Sequence, residues 1–212
     1  MDKSLKELIL MGESQYLDFK YCISDSRKIA RTLTAFANSD GGKLLIGVRD
    51  NGSIAGIRSD EELYMVETAV HLYCRPEIKY AIKRHIFNGK TILEIETFQG
   101  ENRPYQAKDE QGRWLAYFRY NDQNLLANRI LLQVWKKEQI KTGVMVKFGK
   151  AENLLMKYLV LNETITLAKF RKIANLSSCR AETILANLII IKTLIMKPSE
   201  KGFTYELTQV EG

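Results

Sequence analysis

The chain has 212 residues, of which 45% are apolar and 27% are charged, a composition that predicts a soluble globular protein and excludes an intrinsically disordered one. Its formal net charge of +7 favours a polyanionic partner such as nucleic acid, although a basic surface also occurs on proteins that bind none. Two histidines and three scattered cysteines without a CxxC motif supply neither a structural zinc site nor a disulfide framework.

The first two thirds of the chain alternates helix and strand patterns. In chain order, apolar spacing predicts a helix at 3–10, a strand at 16–21, a helix at 27–39, strands at 43–49 and 53–57, a helix at 59–73, strands at 78–86, 91–98, 104–108 and 113–120, and a helix at 125–140. Short Gly-containing turns join most of the strands, which favours hairpins. The predicted fold class is therefore α+β, with a mixed, mostly antiparallel sheet and flanking helices.

A second, smaller domain is predicted after the pattern breaks at 141–150, which places the domains at 1–142 and 150–212. The C-terminal order is a helix at 152–161, a short strand at 164–166, a helix at 167–175, a third helix that runs to about 194, and strands at 195–197 and 203–207. Helix, strand, helix, turn, helix and hairpin is the order of a winged helix-turn-helix domain.

Three carboxylates stand in the block GESQYLDFK and the later NSDGGKLLIGV. If the strand at 16–21 packs beside the strand at 43–49, Asp18 and Asp40 could meet near Glu13. Converging carboxylates repel one another and need a shared proton or a divalent cation, and Mg²⁺ or Mn²⁺ held by oxygen ligands can activate water beside a phosphodiester. Each acid alone could instead cap a turn or a helix end. The turn lacks the spacing of a P-loop.

Basic residues surround these acids in the sequence and could contact phosphates, or could form an ordinary solvated helix face. They are Lys20, Arg27, Lys28, Arg31, Lys43 and Arg49.

In a winged helix the third helix enters the major groove, which here would present Arg180, Thr183 and Asn187 to bases, with Lys197 and Lys201 beside the wing. The segment 151–212 has eight basic and six acidic residues, a net charge of only +2. The apolar run 188–191 indicates that part of the third helix buries against another surface, and winged helices also serve as protein contacts. DNA binding and a purely structural interaction module therefore both stay open.

The blocks GESQYLDFK and AFANSDGGKLLIGVRDNGSIAG resemble the AlbA-like domain of the Schlafen family, and the later RPYQAK and YFRYN are similar to its closing hairpin. The resemblance covers roughly residues 5–139. It implies an AlbA-like fold, and bacterial members with this domain often carry a C-terminal winged helix.

In vertebrate Schlafen nucleases two glutamates and an aspartate form a metal-dependent RNA-cleaving site. Their positions fall on Glu13, Asp18 and Asp40, with Asp18 replacing a glutamate. Those nucleases join two such lobes, so the resemblance implies a homodimer for this single-lobed chain.

The first hypothesis is a cytoplasmic nucleic-acid-binding protein, a transcriptional regulator that binds DNA in preference to RNA and acts as a homodimer. The alternative is a metal-dependent endoribonuclease with Glu13, Asp18 and Asp40 as catalytic residues and Mg²⁺ or Mn²⁺ ligands. The sequence leaves open whether the protein is an enzyme, and it predicts no other cofactor. The longest aliphatic run, 188–191, is too short to span a bilayer, and no signal peptide is expected.

Overall fold

The computed structural model describes residues 3–140, 147–200 and 202–208. It divides the chain into two compact units, Met1–Ala127 and Asn128–Gly212. No helix within the described ranges is both long enough and apolar enough to cross a membrane.

The first unit alternates helices and strands in the predicted order, apart from two short strands, Cys74–Arg75 and Gln123–Leu126, that the sequence pattern does not predict. Its elements are α1 (Lys3–Met11), β1 (Leu17–Lys20), α2 (Ser26–Asn38), β2 (Gly42–Ile46), α3 (Glu61–Tyr73), β3 (Cys74–Arg75), β4 (Tyr80–Phe87), β5 (Lys90–Thr97), β6 (Gln106–Lys108), β7 (Trp114–Tyr120) and β8 (Gln123–Leu126). The predicted strand at 53–57 is reduced to one bridge between Val48 and Ile54.

Two four-stranded sheets form the first unit, in the orders β1-β2-β5-β4 and β3-β6-β7-β8. Only β1 and β2 pair in parallel, with Asp18 opposite Leu44, and all other strand pairs in the two sheets are antiparallel. The fold class predicted from the sequence, mixed α+β with mostly antiparallel strands, is confirmed.

Helix α2 forms the centre of the first unit because its apolar residues recur every three or four positions. Ile29, Leu33 and Phe36 are buried in one core with Leu44 of β2, and such an apolar stripe is what makes a helix pack on a sheet. The opposite face of β1 and β2 carries a second core, which includes Phe19 and is covered by α1. Asp25 caps α2 by accepting a hydrogen bond from the Arg27 amide at 2.8 Å.

The second unit contains α4 (Arg129–Glu138), α5 (Lys150–Leu161), β9 (Ile165–Thr166), α6 (Leu167–Ala174), α7 (Ser178–Ile190), β10 (Leu194–Ser199) and β11 (Gly202–Leu207). Its strands form one sheet in the order β10-β11-β9. Phe170, Leu185 and Tyr205 lie in a single buried core. The predicted helix, strand, helix, helix and hairpin order is present.

The boundary between the units differs from the one expected. The sequence pattern predicts a helix at 125–140 in the first domain, but Gln123–Leu126 pairs with β7. The helix begins only after Asn128, whose side chain accepts a hydrogen bond from the Leu131 amide. Ile130 and Val134 of this helix share the core of α7. Helix α4 therefore belongs to the second unit. The break predicted at 141–150 lies mostly outside the described residues.

Candidate functional site

The loop before β1 and the strand itself bring Glu13, Asp18 and Lys20 together. Glu13 Oε1 accepts a hydrogen bond from the Phe19 amide at 2.9 Å and lies 4.0 Å from Lys20 Nζ. Asp18 and Lys20 are two residues apart on a strand and so share a face, and Lys20 Nζ lies 2.9 Å from Asp18 Oδ2. Desolvation, together with the nearby Asp18 carboxylate, raises the pKa of Glu13 above 4.5.

Asp18 is a buried carboxylate, 4% exposed. Arg119 Nη2 lies 3.4 Å from its Oδ1. Its Oδ2 is paired with the Lys20 ammonium at 2.9 Å, although no hydrogen bond of good geometry reaches this atom within the described structure. The same ammonium also donates to the Phe19 carbonyl at 2.7 Å. A buried oxygen in this state is suited to a further cation or donor.

The buried Arg119 holds β1 and the loop that precedes it in place from the protein interior. Its guanidinium donates to the Ser14 carbonyl at 2.9 Å, the Leu17 carbonyl at 3.0 Å and Asn124 Oδ1 at 3.0 Å. It also lies over the Phe36 ring, 5.1 Å from the centroid. Arg119 is not among the functional residues predicted from the sequence. The signal for it was an arginine within an alternating strand, in the YFRYN motif, but the burial of that arginine depends on the position of the distant Ser14 loop.

Asp40 does not join the other two acids. Its Oδ2 accepts a hydrogen bond from Gln15 Nε2 at 3.3 Å. The parallel register sets Asp18 opposite Leu44, whereas Asp40 precedes β2 and lies in the turn that ends at Gly42. Among the residues that the structure describes, no three His, Cys, Asp or Glu side chains are grouped so that they could hold a metal ion. The predicted adjacency of the two strands is present, but it does not assemble the three-carboxylate site.

A cavity of about 290 Å³ opens beside Glu13, Asp18 and Lys20. Lys28 and Arg31 of α2 line it and also line a neighbouring cavity of about 240 Å³ next to β6 and β7. Both residues are exposed. The arrangement can therefore offer cations to an anionic group that lies beside the two carboxylates.

The other basic residues predicted around the acids have different surroundings. Arg27 lines only the second cavity and lies over the Tyr73 ring at 5.1 Å. Arg49 is exposed over the Tyr21 ring at 4.8 Å. Lys43 points to the α1 side of the sheet, where its Nζ donates to Glu94 Oε1 at 2.5 Å. Because Glu94 balances the charge of Lys43, Lys43 does not belong to the predicted phosphate-binding cluster.

Glu94 also binds His85, a contact that sequence analysis did not anticipate. His85 Nε2 and Glu94 Oε2 are 2.7 Å apart, and both side chains are buried. Desolvation opposes the ionisation of Glu94, but the hydrogen bonds from Lys43 and His85 outweigh it and lower the pKa of Glu94. The alternation of β4 and β5 could have suggested this pair only once their register was known.

In the second unit, the residues predicted to read bases divide into two groups. Arg180 is exposed near the start of α7, and Thr183 is half-buried one turn later. Asn187 accepts a hydrogen bond from Lys137 Nζ of α4 at 2.5 Å, so it faces α4 instead of an open surface. Lys197 forms an ion pair with Glu206 across the β10–β11 hairpin. Lys201 lies outside the described residues.

Helix α6 adds cations that were not predicted as contacts. Lys169, Arg171 and Lys172 are all exposed on it, and α6 immediately precedes the turn that leads to Arg180. With the boundary at Asn128, the second unit carries 14 basic and 7 acidic residues, whereas residues 1–127 carry 18 of each. The whole net charge of +7 therefore resides in the second unit.

The chain is similar to a number of solved structures, among them the following two. The N-terminal domain of a DNA helicase RecG-related protein from Nitrosomonas europaea is 23% identical, with a TM-score of 0.42, and the match covers 59% of this chain and 92% of that domain. The DIP2311 protein from Corynebacterium diphtheriae is 18% identical, with a TM-score of 0.48. That match covers 97% of this chain but only 38% of the Corynebacterium chain.

No curated protein matches the chain. The family model described as Schlafen, AlbA_2 matches residues 13–128, which is more than half of the 212 residues. The matched range begins at Glu13 and ends at the boundary between the two units. The chain belongs to the Schlafen AlbA_2 family.

Proposed function

We propose that this protein binds nucleic acid and acts as a DNA-binding transcriptional regulator through a C-terminal winged helix-turn-helix domain. The observation that carries the proposal is the confinement of the net charge of +7 to residues 128–212. Concentrated positive charge on one small unit is the electrostatic footprint of a phosphate-binding surface. Membership of the Schlafen AlbA_2 family supports the same function.

The element order of the second unit supports the proposed mode of binding. Helices α6 and α7 are joined by a short turn, and the β10–β11 hairpin follows them, as in a helix-turn-helix with a wing. Helix α7 then enters the major groove with Arg180 near the base edges, while the exposed cations of α6 bind the flanking phosphates. The proposed regulator is cytoplasmic and homodimeric, and sedimentation of the full chain tests the dimer, which a monomer at all concentrations would contradict.

Fluorescence anisotropy with labelled duplex DNA tests the function. The wild-type protein is expected to bind duplex DNA with an affinity that falls by orders of magnitude between about 50 and 200 mM salt. Arg180→Ala and Arg171→Ala are each expected to weaken binding by about tenfold, since each removes one charged contact.

Lys157→Ala is the matched control, because Lys157 is an exposed cation on α5, outside the proposed contact helices. It should bind like the wild type. Absence of salt-dependent binding would overturn the function, and equal losses in all three variants would contradict the proposed surface. RNA measured in parallel decides between the two nucleic acids.

A second candidate function, a metal-dependent endoribonuclease, is supported by the convergence of Glu13 and Asp18 at one cavity. Among the described residues, the buried Asp18 Oδ2 accepts no hydrogen bond of good geometry and pairs with the Lys20 ammonium. Mg²⁺ is commonly bound by only one or two carboxylates together with substrate phosphates. Glu13 and Asp18 would hold the ion, which when bound supplies Lewis-acid activation of water. Lys20 would lie beside the phosphate.

Cleavage of structured RNA in the presence of Mn²⁺ tests this candidate. A two-carboxylate site predicts that Glu13→Gln abolishes cleavage, whereas Asp40→Asn keeps it within about threefold of the wild type, since conservative changes outside the reacting groups cost little. Cleavage that survives Glu13→Gln would refute the site. Cleavage lost in both variants would instead restore Asp40 to it.

A further inference from the structure

A cavity of about 410 Å³ lies within the second unit, on the side of α7 that carries Glu182. Its wall is largely apolar and comes from the start of α4, the β9–α6 junction and β11. The lining includes Ile130, Leu167 and Phe203 as apolar members and Arg129, Glu182 and Tyr205 as polar ones. The volume falls within the range of small-molecule sites, which combine apolar walls with a few polar groups.

Glu182 is the unusual member of this wall because it is a carboxylate that is 8% exposed. Its Oε1 accepts a hydrogen bond from Ser178 Oγ at 3.1 Å. Within the described part of the chain, Glu182 forms no ion pair. The exposed Arg129 lines the same cavity but does not pair with Glu182. A buried carboxylate supported by one hydroxyl is costly unless a cation compensates for it.

Tyr205 contributes a second polar group. Its ring is buried, and its hydroxyl accepts a hydrogen bond from Asn128 Nδ2 at 3.4 Å. Burial raises the pKa of Tyr205 to about 12, so the hydroxyl keeps its proton near neutral pH and can donate it. Asn128 itself is fully engaged, because its Oδ1 caps α4. The cavity thus presents the Glu182 carboxylate and the Tyr205 hydroxyl beside apolar side chains, with Arg129 and Thr166 as further polar members of its wall.

We propose that this cavity is a binding site for a small amphipathic cation, an alkyl or aryl ammonium compound whose charged head pairs with Glu182. Phe203, Ile130 and Leu167 contact the apolar body of the ligand. The ammonium group supplies the cation that Glu182 lacks and donates hydrogen bonds to the carboxylate. The site is separate from the Glu13–Asp18 cavity, and it does not depend on whether the protein binds DNA.

Titration of the full chain with 2-phenylethylamine tests the site, with the isosteric neutral 2-phenylethanol as the comparison probe. Amide chemical shifts in ¹H–¹⁵N spectra are expected to change around Glu182, Thr166 and Phe203. The amine should bind at least about tenfold more tightly than the alcohol, as expected for a hydrogen bond to a charged group.

Glu182→Gln keeps the shape of the side chain and its acceptor for Ser178. It should reduce the affinity for the amine by about tenfold and leave the affinity for the alcohol unchanged. Glu163→Gln is the matched control, since Glu163 is an exposed acid of the same unit outside the cavity wall. This variant should bind both probes like the wild type.

Ala168→Phe is a second variant that fills the cavity without altering Glu182. It should abolish binding of both probes while the far-ultraviolet circular dichroism spectrum is retained. The proposal is overturned if Glu182→Gln binds the amine as tightly as the wild type, if the shift changes lie outside the cavity, or if neither probe binds the wild-type protein.

Discussion

Arg119 connects sequence positions more than 100 residues apart, from Ser14 to Asn124. Its guanidinium presents donors in a fixed planar fork, which is why it can bind two carbonyls, an amide and a carboxylate together. The neighbouring Asp18 compensates for the buried charge. The candidate site is therefore built around a cation that touches the carboxylate loop from the protein interior.

Arg119→Lys tests this role. A lysine keeps the charge but cannot reach all the acceptors, so several carbonyls lose their donor inside the protein. We expect the free energy of unfolding to fall by about 2–4 kcal/mol. Arg113→Lys is the control, because the Arg113 side chain is 67% exposed, and it should cost less than about 0.5 kcal/mol. Equal losses in urea denaturation would contradict the structural role of Arg119.

Glu94 leads to a pH prediction. Because the folded-state pKa of Glu94 is lowered, its ionisation stabilises the fold above the ordinary value of 4.5, and that contribution is lost as the pH falls through the lowered folded-state pKa. Glu94→Gln should therefore cost about 2 kcal/mol at pH 7, and the difference from the wild type should shrink below about pH 4.5. Urea denaturation at pH 7 and pH 4 measures this. A pH-independent difference would show that packing, and not charge, is responsible.

At the scale of elements, the turn between α2 and β2 fixes where the candidate acids lie. Gly41 has φ +76°, and a Cβ there would lie 2.8 Å from the Thr97 carbonyl oxygen. The chain can reverse this closely against β5 only because the residue is glycine. The reversal starts β2 in register with β1 and leaves Asp40 in the turn before the strand, whereas Asp18 lies within β1.

Gly41→Ala should consequently destabilise the first unit by more than backbone strain alone. The matched control is Gly89→Ala, since Gly89 has φ +73° and nothing within 4 Å of the added Cβ. We expect a loss of about 1 kcal/mol for Gly89→Ala and about 2–4 kcal/mol for Gly41→Ala, which adds a backbone clash. Thermal unfolding compares the two. Equal losses of stability would mean that the turn accommodates the added Cβ at no energetic cost.

Local sequence patterns predict most of the helices and strands correctly. They fail where tertiary contacts determine the secondary structure of a segment. The apolar stripe of α2 and the alternation of β4 and β5 predicted these elements correctly. In contrast, Leu125 and Leu126 suit a helix as well as a strand, and pairing with β7 makes them part of β8. The same limit applies to the site, because spacing alone brought Glu13 and Asp18 near each other, whereas the place of Asp40 depended on strand register.

At the scale of the whole molecule, the boundary at Asn128 changes the meaning of the charge. With a boundary near 150, the C-terminal domain was only mildly basic. Assigning α4 and the segment after it to the second unit raises its net charge to +7 and leaves residues 1–127 neutral. A neutral unit gains little from long-range attraction to a polyanion, so any phosphate that it binds must be held by local groups such as Lys28 and Arg31.

The salt dependence of binding separates these two contributions. The slope of log affinity against log salt concentration falls by roughly one for each phosphate contact removed. We therefore expect Arg171→Ala, which removes a proposed phosphate contact of α6, to reduce the slope for duplex DNA by about one, whereas Arg31→Ala leaves it unchanged if only the second unit docks. Anisotropy titrations over a range of salt concentrations measure both slopes. A reduced slope in Arg31→Ala alone would assign the phosphate contacts to the Schlafen-like unit. Additive reductions in a variant that carries both alanine substitutions would show that both units bind the same DNA.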